Sequence, residues 1–236
     1  MKLHIYTVKV AALGITASLL LAGCALSAAQ KEILCLNTLG SPIPEFCEVK
    51  PNVLWRGSKP DRNTAAWLIN KGVSTIVNLE LLHDDMDTIT QETITGTGTY
   101  KIDYFRVKTW EPLYAVTKSN ADEDVIHFLA VVSRAKQPVY VHCRAGENRT
   151  GVMVAAYKII LNGQTSKAEM AKILDEMQSY KGAWSESTTK YIKGLFLRRD
   201  EIIKKVRAFK VEDPIQIICN KGKCVSNPRQ FRDVLY

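Results

Sequence analysis

Histidine is scarce in this sequence, with four in 236 residues. His83 in "LLHDD" and His127 stand apart from any paired histidine or cysteine spacing, so no metal site and no cofactor are expected. The 32 lysines and arginines never gather into a stripe interleaved with aromatics, which argues against nucleic acid as a partner. There is no internal repeat and no long low-complexity segment, so solenoid architectures fall away. The apolar run from Val10 to Ala22 is too short to span a membrane as a helix. What is present is a chain 46% hydrophobic, enough for one sizeable α/β core and too little for two domains of usual size.

Lys2 and Lys9 ahead of the short apolar run give residues 1–23 the form of a signal peptide. The run ends in "LAGC", Leu21 to Cys24, which resembles the bacterial lipobox at all four positions. That resemblance implies cleavage before Cys24 and attachment of lipid to it, so that the protein is exported and held at a membrane. The alternative is an ordinary secretory signal cut near Ala28 or Ala29. Both export the protein. Loss of Lys2 and Lys9 takes the formal charge from +8 to +6, a balance that favours anionic partners.

Export bears on the six cysteines, because disulfides persist in oxidising compartments. Setting aside Cys24 for lipid and Cys143 for the motif below leaves Cys35, Cys47, Cys219 and Cys224, an even number with three possible connectivities. Proximity favours Cys35 with Cys47 and Cys219 with Cys224, the latter closing "CNKGKC". Burial of four unpaired thiols is the alternative.

Residues 24–51 mix small residues with "SPIPE" and read as a tether or irregular N-terminal segment. The folded domain is expected over 52–210. "NVLWRG" predicts a strand, "NTAAWLINKG" a helix ending at Gly72, and "VSTIVNLE" a buried strand. "DTITQETITGTGTY" reads as a loop or weak strand, "YKIDYFRVKTW" as a strand, and "EPLYA" as a loop at Pro112. A helix follows over about 121–135, with Val125, Phe128, Leu129 and Val132 on one face. "PVYVHC" is a short strand, and "TGVMVAAYKIIL" a helix whose apolar stripe is Val152, Ala155, Ala156, Ile159 and Ile160. Two further helices are predicted, about 166–179 and about 186–208, and residues 211–236 suggest an appended hairpin. The fold class is α/β, with a central mostly parallel sheet flanked by helices.

The stretch "VHCRAGENRTG", Val141 to Gly151, lies between the predicted strand and helix. A turn there sets successive backbone N–H groups around a concavity at a helix N-terminus, where the dipole and unpaired donors attract an anion. The same field favours a thiolate, the form in which cysteine attacks. Arg149, six residues after Cys143, returns to the rim, where its planar fork matches two phosphate oxygens. Gly146 lets the backbone turn tightly.

"HCRAGENRTG" resembles the H-C-x-x-G-x-x-R-[S/T] signature of the cysteine-dependent protein tyrosine and dual-specificity phosphatases, matching at His142, Cys143, Gly146, Arg149 and Thr150. The order of elements over roughly 52–178 resembles the compact dual-specificity branch, and "VLWRGSKP" and "VSTIVNLE" are similar to its bacterial, plant and fungal atypical members. The resemblance implies that Cys143 attacks phosphorus and forms a phosphocysteine. It also implies that the loop Arg144, Ala145, Gly146, Glu147 and Asn148 with Arg149 binds the phosphoryl group. Thr150 would hydrogen-bond the sulfur, and His142 would orient the loop from behind.

The family's general acid is commonly an Asp on a mobile loop a few dozen residues earlier. Here Glu111 in "TWEPLY", 32 residues before Cys143, occupies such a loop. Asp103 and Asp122 are alternatives, the latter more naturally a helix cap. Arg56 could line the site or anchor a loop, and Trp110 and Trp184 could flank substrate or pack in the core. Arg144 and Glu147 nearly cancel, which leaves phosphoprotein and inositol phosphate substrates both open. A phosphate-binding module without turnover would lack Cys143 or Arg149, and a rhodanese-like loop does not call for Arg149 and Thr150.

Overall fold

The computed structural model describes residues 39–83, 85–90, 99–109, 118–180, 185–220 and 223–226. Cys24, Cys35, Trp110, Glu111 and Trp184 lie outside them. The side chain of Cys224 is likewise not described.

Seven strands form one sheet: β1 Cys47–Lys50, β2 Leu54–Gly57, β3 Thr75–Glu80, β4 Thr99–Thr109, β5 Val139–His142, β6 Ile215–Asn220 and β7 Lys223–Ser226, in the order β1-β2-β5-β3-β4-β6-β7. The four central strands, β2, β5, β3 and β4, run parallel. Both margins are antiparallel, through β1 against β2 and the hairpin β6–β7 against β4. The expectation of a mostly parallel sheet holds for this centre, and the sheet as a whole is mixed. β1 falls within the stretch read as a tether. The C-terminal hairpin is β6–β7, and it joins the main sheet through β6 on β4.

The helices are α1 Arg62–Asn70, α2 Met86–Thr90, α3 Lys118–Arg134, α4 Asn148–Ile160, α5 Lys167–Ser179, α6 Glu186–Leu197 and α7 Arg199–Ala208. α1 starts where Asp61 Oδ1 accepts from Thr64 N at 2.8 Å while Asp61 N donates to Thr64 Oγ1 at 2.8 Å, a reciprocal cap. These bonds hold the Asp61 carboxyl below its ordinary range. α1 stops at Gly72, whose φ of 89° is open to glycine at little cost. The start of the stretch read as loop or weak strand, 87–90, belongs to a short helix, Met86–Thr90. The single helix expected over 186–208 is broken at Arg198, which leaves helical geometry at φ −112°, ψ 17°. There Arg198 Nη2 donates to Asp122 Oδ1 at 3.0 Å, an ion pair that turns the chain between α6 and α7.

Alternation along the strands splits the core in two. Leu54, Val77, Leu79, Val139 and Val141 pack with α3, α4, α6 and α7 on one face. Trp55, Ile76, Tyr104 and Tyr140 pack with α1 and α2 on the other. The predicted stripe on α4 is only part of its contact surface, since every residue from Arg149 to Ile160 is buried. Even Lys158 is enclosed, paired with Glu176 of α5.

Candidate active site

Gly57 of β2 and Asn78 of β3 both stand level with His142 of β5, so β2 and β5 end together, β3 runs two residues on, and the chain emerges from β5 at Cys143. That is the carboxyl edge of the sheet, where open α/β folds bind ligands. Cys143 is 3% exposed and is the free cysteine among the described residues. Between it and α4, Arg144 and Ala145 are exposed, Gly146 is buried, and Glu147 precedes the helix without a side-chain cap.

The loop's carbonyls are held from behind. Lys59 N donates to Arg144 O at 3.1 Å, Arg56 Nη2 donates to Gly146 O, and His142 Nδ1 faces Cys143 O at 3.3 Å. A peptide plane that turns its C=O outward turns the next N–H to the opposite side. The N–H groups of Arg144, Ala145 and Glu147 thereby turn to the side opposite these supports, the orientation an anion site requires. Gly146 makes the turn at φ 75°, and a Cβ there would lie 2.5 Å from Gly57 C and O. No other residue fits.

The clamp comes from "WRGSKP". Arg56, 1% exposed, lays its guanidinium 3.6 Å from the centre of the Tyr180 ring while it holds Gly146. Its role is the loop anchor, one of the two readings its position at a strand end allowed. Tyr140 Oη donates to Ser58 O at 2.6 Å and Ser58 N donates to Pro44 O at 3.0 Å, which fixes the segment in turn. Lys59 Nζ stands 3.8 Å from Glu80 Oε1 at the rim.

Arg149 lies in the first turn of α4, 7% exposed, and its Nη1 donates to Leu79 O at 3.3 Å, so the end of β3 aims its fork. Thr150 is fully buried, and its Oγ1 has no hydrogen-bond partner among the described residues, so the expected bond to Cys143 sulfur is not made here. Thr150 itself lies in the first turn of α4.

His142 is fully buried behind the loop, as expected, and its Nε2 lies 2.9 Å from Asp85 Oδ2. Asp85 was not singled out from sequence. It sits on the turn between β3 and α2, and that turn is gathered by Arg106 Nη2, which donates to the carbonyls of Glu80, Leu81 and His83 at 3.1 Å each. Burial pushes the Asp85 carboxyl up, but the adjacent His142 ring, the hydrogen bond from Tyr104 Oη at 2.9 Å and Lys59 outweigh it and hold it below its ordinary value. Burial first, then the Asp85 and Cys143 charges, drive the Tyr140 hydroxyl well above its ordinary range. The signal available in the sequence was an acid pair, "DD", just past a strand that ends beside Cys143.

The remaining candidates separate from the site. Asp103 is level with Thr75 and Val139 at the far end of the sheet, 3.2 Å from Lys136 Nζ. Asp122 lies inside α3, so it is no cap, and it is consumed by Arg198 and by Tyr191 Oη at 3.0 Å. His127 stacks on Phe209 at 5.1 Å. Cys47 and Cys219 are each disulfide-bonded.

Residues 44–191 match the family model described as a DSP-PTPase phosphatase fused to NAD+ kinase. Among curated proteins, the vaccinia virus dual specificity protein phosphatase OPG106 is 35% identical over 66 residues, covering 28% of this chain and 39% of that protein. The rice protein named Probable NAD kinase 2, chloroplastic, is 34% identical over 107 residues, covering 44% of this chain. The match spans 10% of the rice protein's own length.

Among solved structures, TpbA of P. aeruginosa has a TM-score of 0.51 at 24% identity over 69% of this chain and 90% of that one. A cysteine-to-serine variant of it in complex with pTyr scores 0.50 at 22% identity over 70% and 91%. The core catalytic domain of the S. cerevisiae PP-IP phosphatase Siw14 scores 0.53 at 18% identity over 71% and 93%. At these identities the structural likeness is one of fold. The family model runs from just before β1 into α6, taking in every element that shapes the Cys143 loop, and on that match the chain belongs to the DSP-PTPase phosphatase family.

Proposed function

We propose that the protein is a phosphomonoester hydrolase of the dual-specificity type that works through a phosphocysteine. The observation that carries this reading is the Cys143 loop itself, with three carbonyls held outward and Arg149 aimed across it from β3. Cys143 sulfur forms a bond to phosphorus as the ester oxygen–phosphorus bond breaks. The inward N–H groups and Arg149 take up the phosphoryl charge. The departing oxygen takes a proton from a carboxylic acid, for which Glu111 is the candidate. Water then attacks phosphorus and the Cys143 thiolate leaves, releasing inorganic phosphate.

Phosphotyrosine protein is the first substrate class to test, in view of the TpbA likeness and its pTyr complex. A specific observation favours a second. Lys59 and Arg144 are joined by a backbone hydrogen bond beside the Cys143 loop, two basic residues that suit a substrate carrying more than one phosphate, though Lys59 Nζ also lies 3.8 Å from Glu80 Oε1. The likeness to Siw14, a PP-IP phosphatase, points the same way.

Export with lipid on Cys24 and pairing of Cys35 with Cys47 and of Cys219 with Cys224 complete the reading. Cys47 and Cys219 occupy strands near opposite margins of the sheet, and Cys224 stands directly opposite Cys219 in the β6–β7 register. Palmitate labelling of the wild type that is no greater than that of Cys24→Ala would end the lipid assignment.

The test of activity is phosphate release from phosphotyrosine peptide, phosphoserine peptide and inositol phosphates by residues 25–236, wild type against Cys143→Ser. Turnover by the wild type alone is expected. Folded, reduced wild type that releases nothing would make the loop a binding site. For the acid, Glu111→Gln should lose the falling alkaline limb of the pH–rate profile. A limb that persists assigns the proton elsewhere.

A further inference from the structure

The period of two along β2 puts Leu54 and Arg56 on one face and sends Trp55 to the other. Leu54 packs in the core under α4, and Arg56 follows it there, walled by Gly151, Val154 and Ala155 of α4 and by Glu176 and Met177 of α5. The space between them is too small for a water. A guanidinium 1% exposed in such a place must find its partners in the protein.

It has few. Nη2 donates to Gly146 O, and Nε has no hydrogen-bond partner among the described residues. Glu176 lines the same space, but its carboxylate is paired with Lys158. Across the guanidinium lies the ring of Tyr180, whose centre is 3.6 Å from Arg56 Cζ. Tyr180 is 1% exposed and stands at the end of α5, which the Lys158–Glu176 pair ties to α4, so the ring is fixed. One hydrogen bond leaves a planar fork free to turn about the bonded N–H. An aromatic face against it sets the plane, and the attraction grows where water is excluded. What Arg56 holds is Gly146 O, and the outward turn of that carbonyl carries the Glu147 N–H to the opposite side.

We propose that Tyr180 is a positioning residue for the phosphatase reaction, its ring holding Arg56 in the plane that keeps Gly146 O turned outward and the Cys143 loop in its anion-binding shape. The inference rests on the reading of that loop as the phosphoryl site. Tyr180 acts through Arg56 and belongs to no part of the loop.

Calorimetric titration with tungstate, a tetrahedral oxyanion that does not turn over, reads the loop apart from catalysis. It is run beside phosphate release on residues 25–236, which contain every described element. The proteins are wild type, Tyr180→Phe, Tyr180→Leu, Arg56→Met and the double variant Arg56→Met with Tyr180→Leu. Tyr180→Phe keeps the ring and should bind within about twofold of wild type, whereas Tyr180→Leu should bind roughly tenfold more weakly and lose turnover in step. Arg56→Met should bind at least as weakly, and Tyr180→Leu should add less than about twofold to it. A ring that served packing alone would lower the fraction of protein able to bind and leave the Kd of the remainder unchanged. That result in Tyr180→Leu overturns the proposal, and so do equal losses in Tyr180→Phe and Tyr180→Leu, or losses that multiply in the double variant. Should Tyr180→Leu fail to fold, Tyr180→Met takes its place, and a wild-type Kd in Arg56→Met overturns the proposal alone. Wild type that binds tungstate and releases no phosphate refutes the phosphatase reading and leaves this one to the Kd values. Wild type that binds no tungstate ends both.

Discussion

Gly146→Ala and Gly72→Ala make the same chemical change at two left-handed glycines, φ 75° and 89°. Nothing lies within 4 Å of a Cβ added at Gly72, whereas one at Gly146 meets Gly57 C and O at 2.5 Å and Ser58 N at 2.6 Å. Gly72→Ala should cost only the left-handed backbone term, about 1 kcal/mol. At Gly146 the obstacle is backbone, in a strand hydrogen-bonded to β5, and no side chain can swing away. Overpacking adds about 1–3 kcal/mol, so the expected total is about 2–4 kcal/mol. To bring 2.5 Å back to the 3.4 Å of ordinary contact, the loop must retreat by the 0.9 Å between them. A misplacement on the order of 1 Å can cost about 100-fold in rate. Urea unfolding and phosphate release from both variants check this, with Gly72→Ala keeping near wild-type turnover. If Gly146→Ala unfolds within about 0.5 kcal/mol of Gly72→Ala and keeps a third of the activity, the loop is not clamped as described.

Two stability measurements probe charges away from the loop. Burial, with help from Glu123, pushes the Asp124 carboxyl up to about 7, so between its ordinary value of 3.8 and that point the folded state holds a proton the unfolded chain has shed. Stability then falls as pH rises through this window, and Asp124→Asn should gain about 1 kcal/mol at pH 8 and nothing at pH 4, the figure being reduced for partial exposure. Equal gains at both pH values in urea unfolding would refute it. Lys158 and Glu176 pair between α4 and α5 with side chains only 10% and 5% exposed. Lys158→Met alone should cost about 3–5 kcal/mol by stranding Glu176, and Glu176→Leu added to it should recover most of the loss. A single-variant cost below about 1 kcal/mol would mean that water reaches the pair.

The Cys143 loop was legible because its requirements are local. A strand, five residues, Arg and Thr, then a helix are contiguous in sequence, and the periodicities on either side name the two elements. Its supports were not, since they arrive across the fold. Asp85 meets His142 from 57 positions away, and Arg56 meets Gly146 from 90. The residues could be noticed one by one, but spacing in the sequence does not pair them. β1 was hidden because four residues between turns carry no period of two, and it exists through pairing with β2. The break at Arg198 was missed because Arg favours helix and the pattern continues past it. The ion pair with Asp122 decides the turn. The stripe on α4 undercounted burial because four helices and the sheet enclose it, a fact of packing and not of sequence.

The sheet order also separates two kinds of cysteine chemistry. β5, which delivers Cys143, is two strands from β1 with Cys47 and three from β6 with Cys219. At about 4.8 Å per strand these are separations of roughly 10 and 14 Å in the sheet. A disulfide needs Cα atoms within about 7 Å. Neither Cys47 nor Cys219 can reach the nucleophile while the sheet stands. In the exported location proposed above, where thiols that can meet become oxidised, that distance keeps Cys143 out of a disulfide with either of them. Exposure of the reduced, folded protein to oxidised glutathione should then leave Cys47 and Cys219 without a bond to Cys143. A disulfide from either of them to Cys143, found by peptide mapping of protein that had not been unfolded, would contradict the strand order itself.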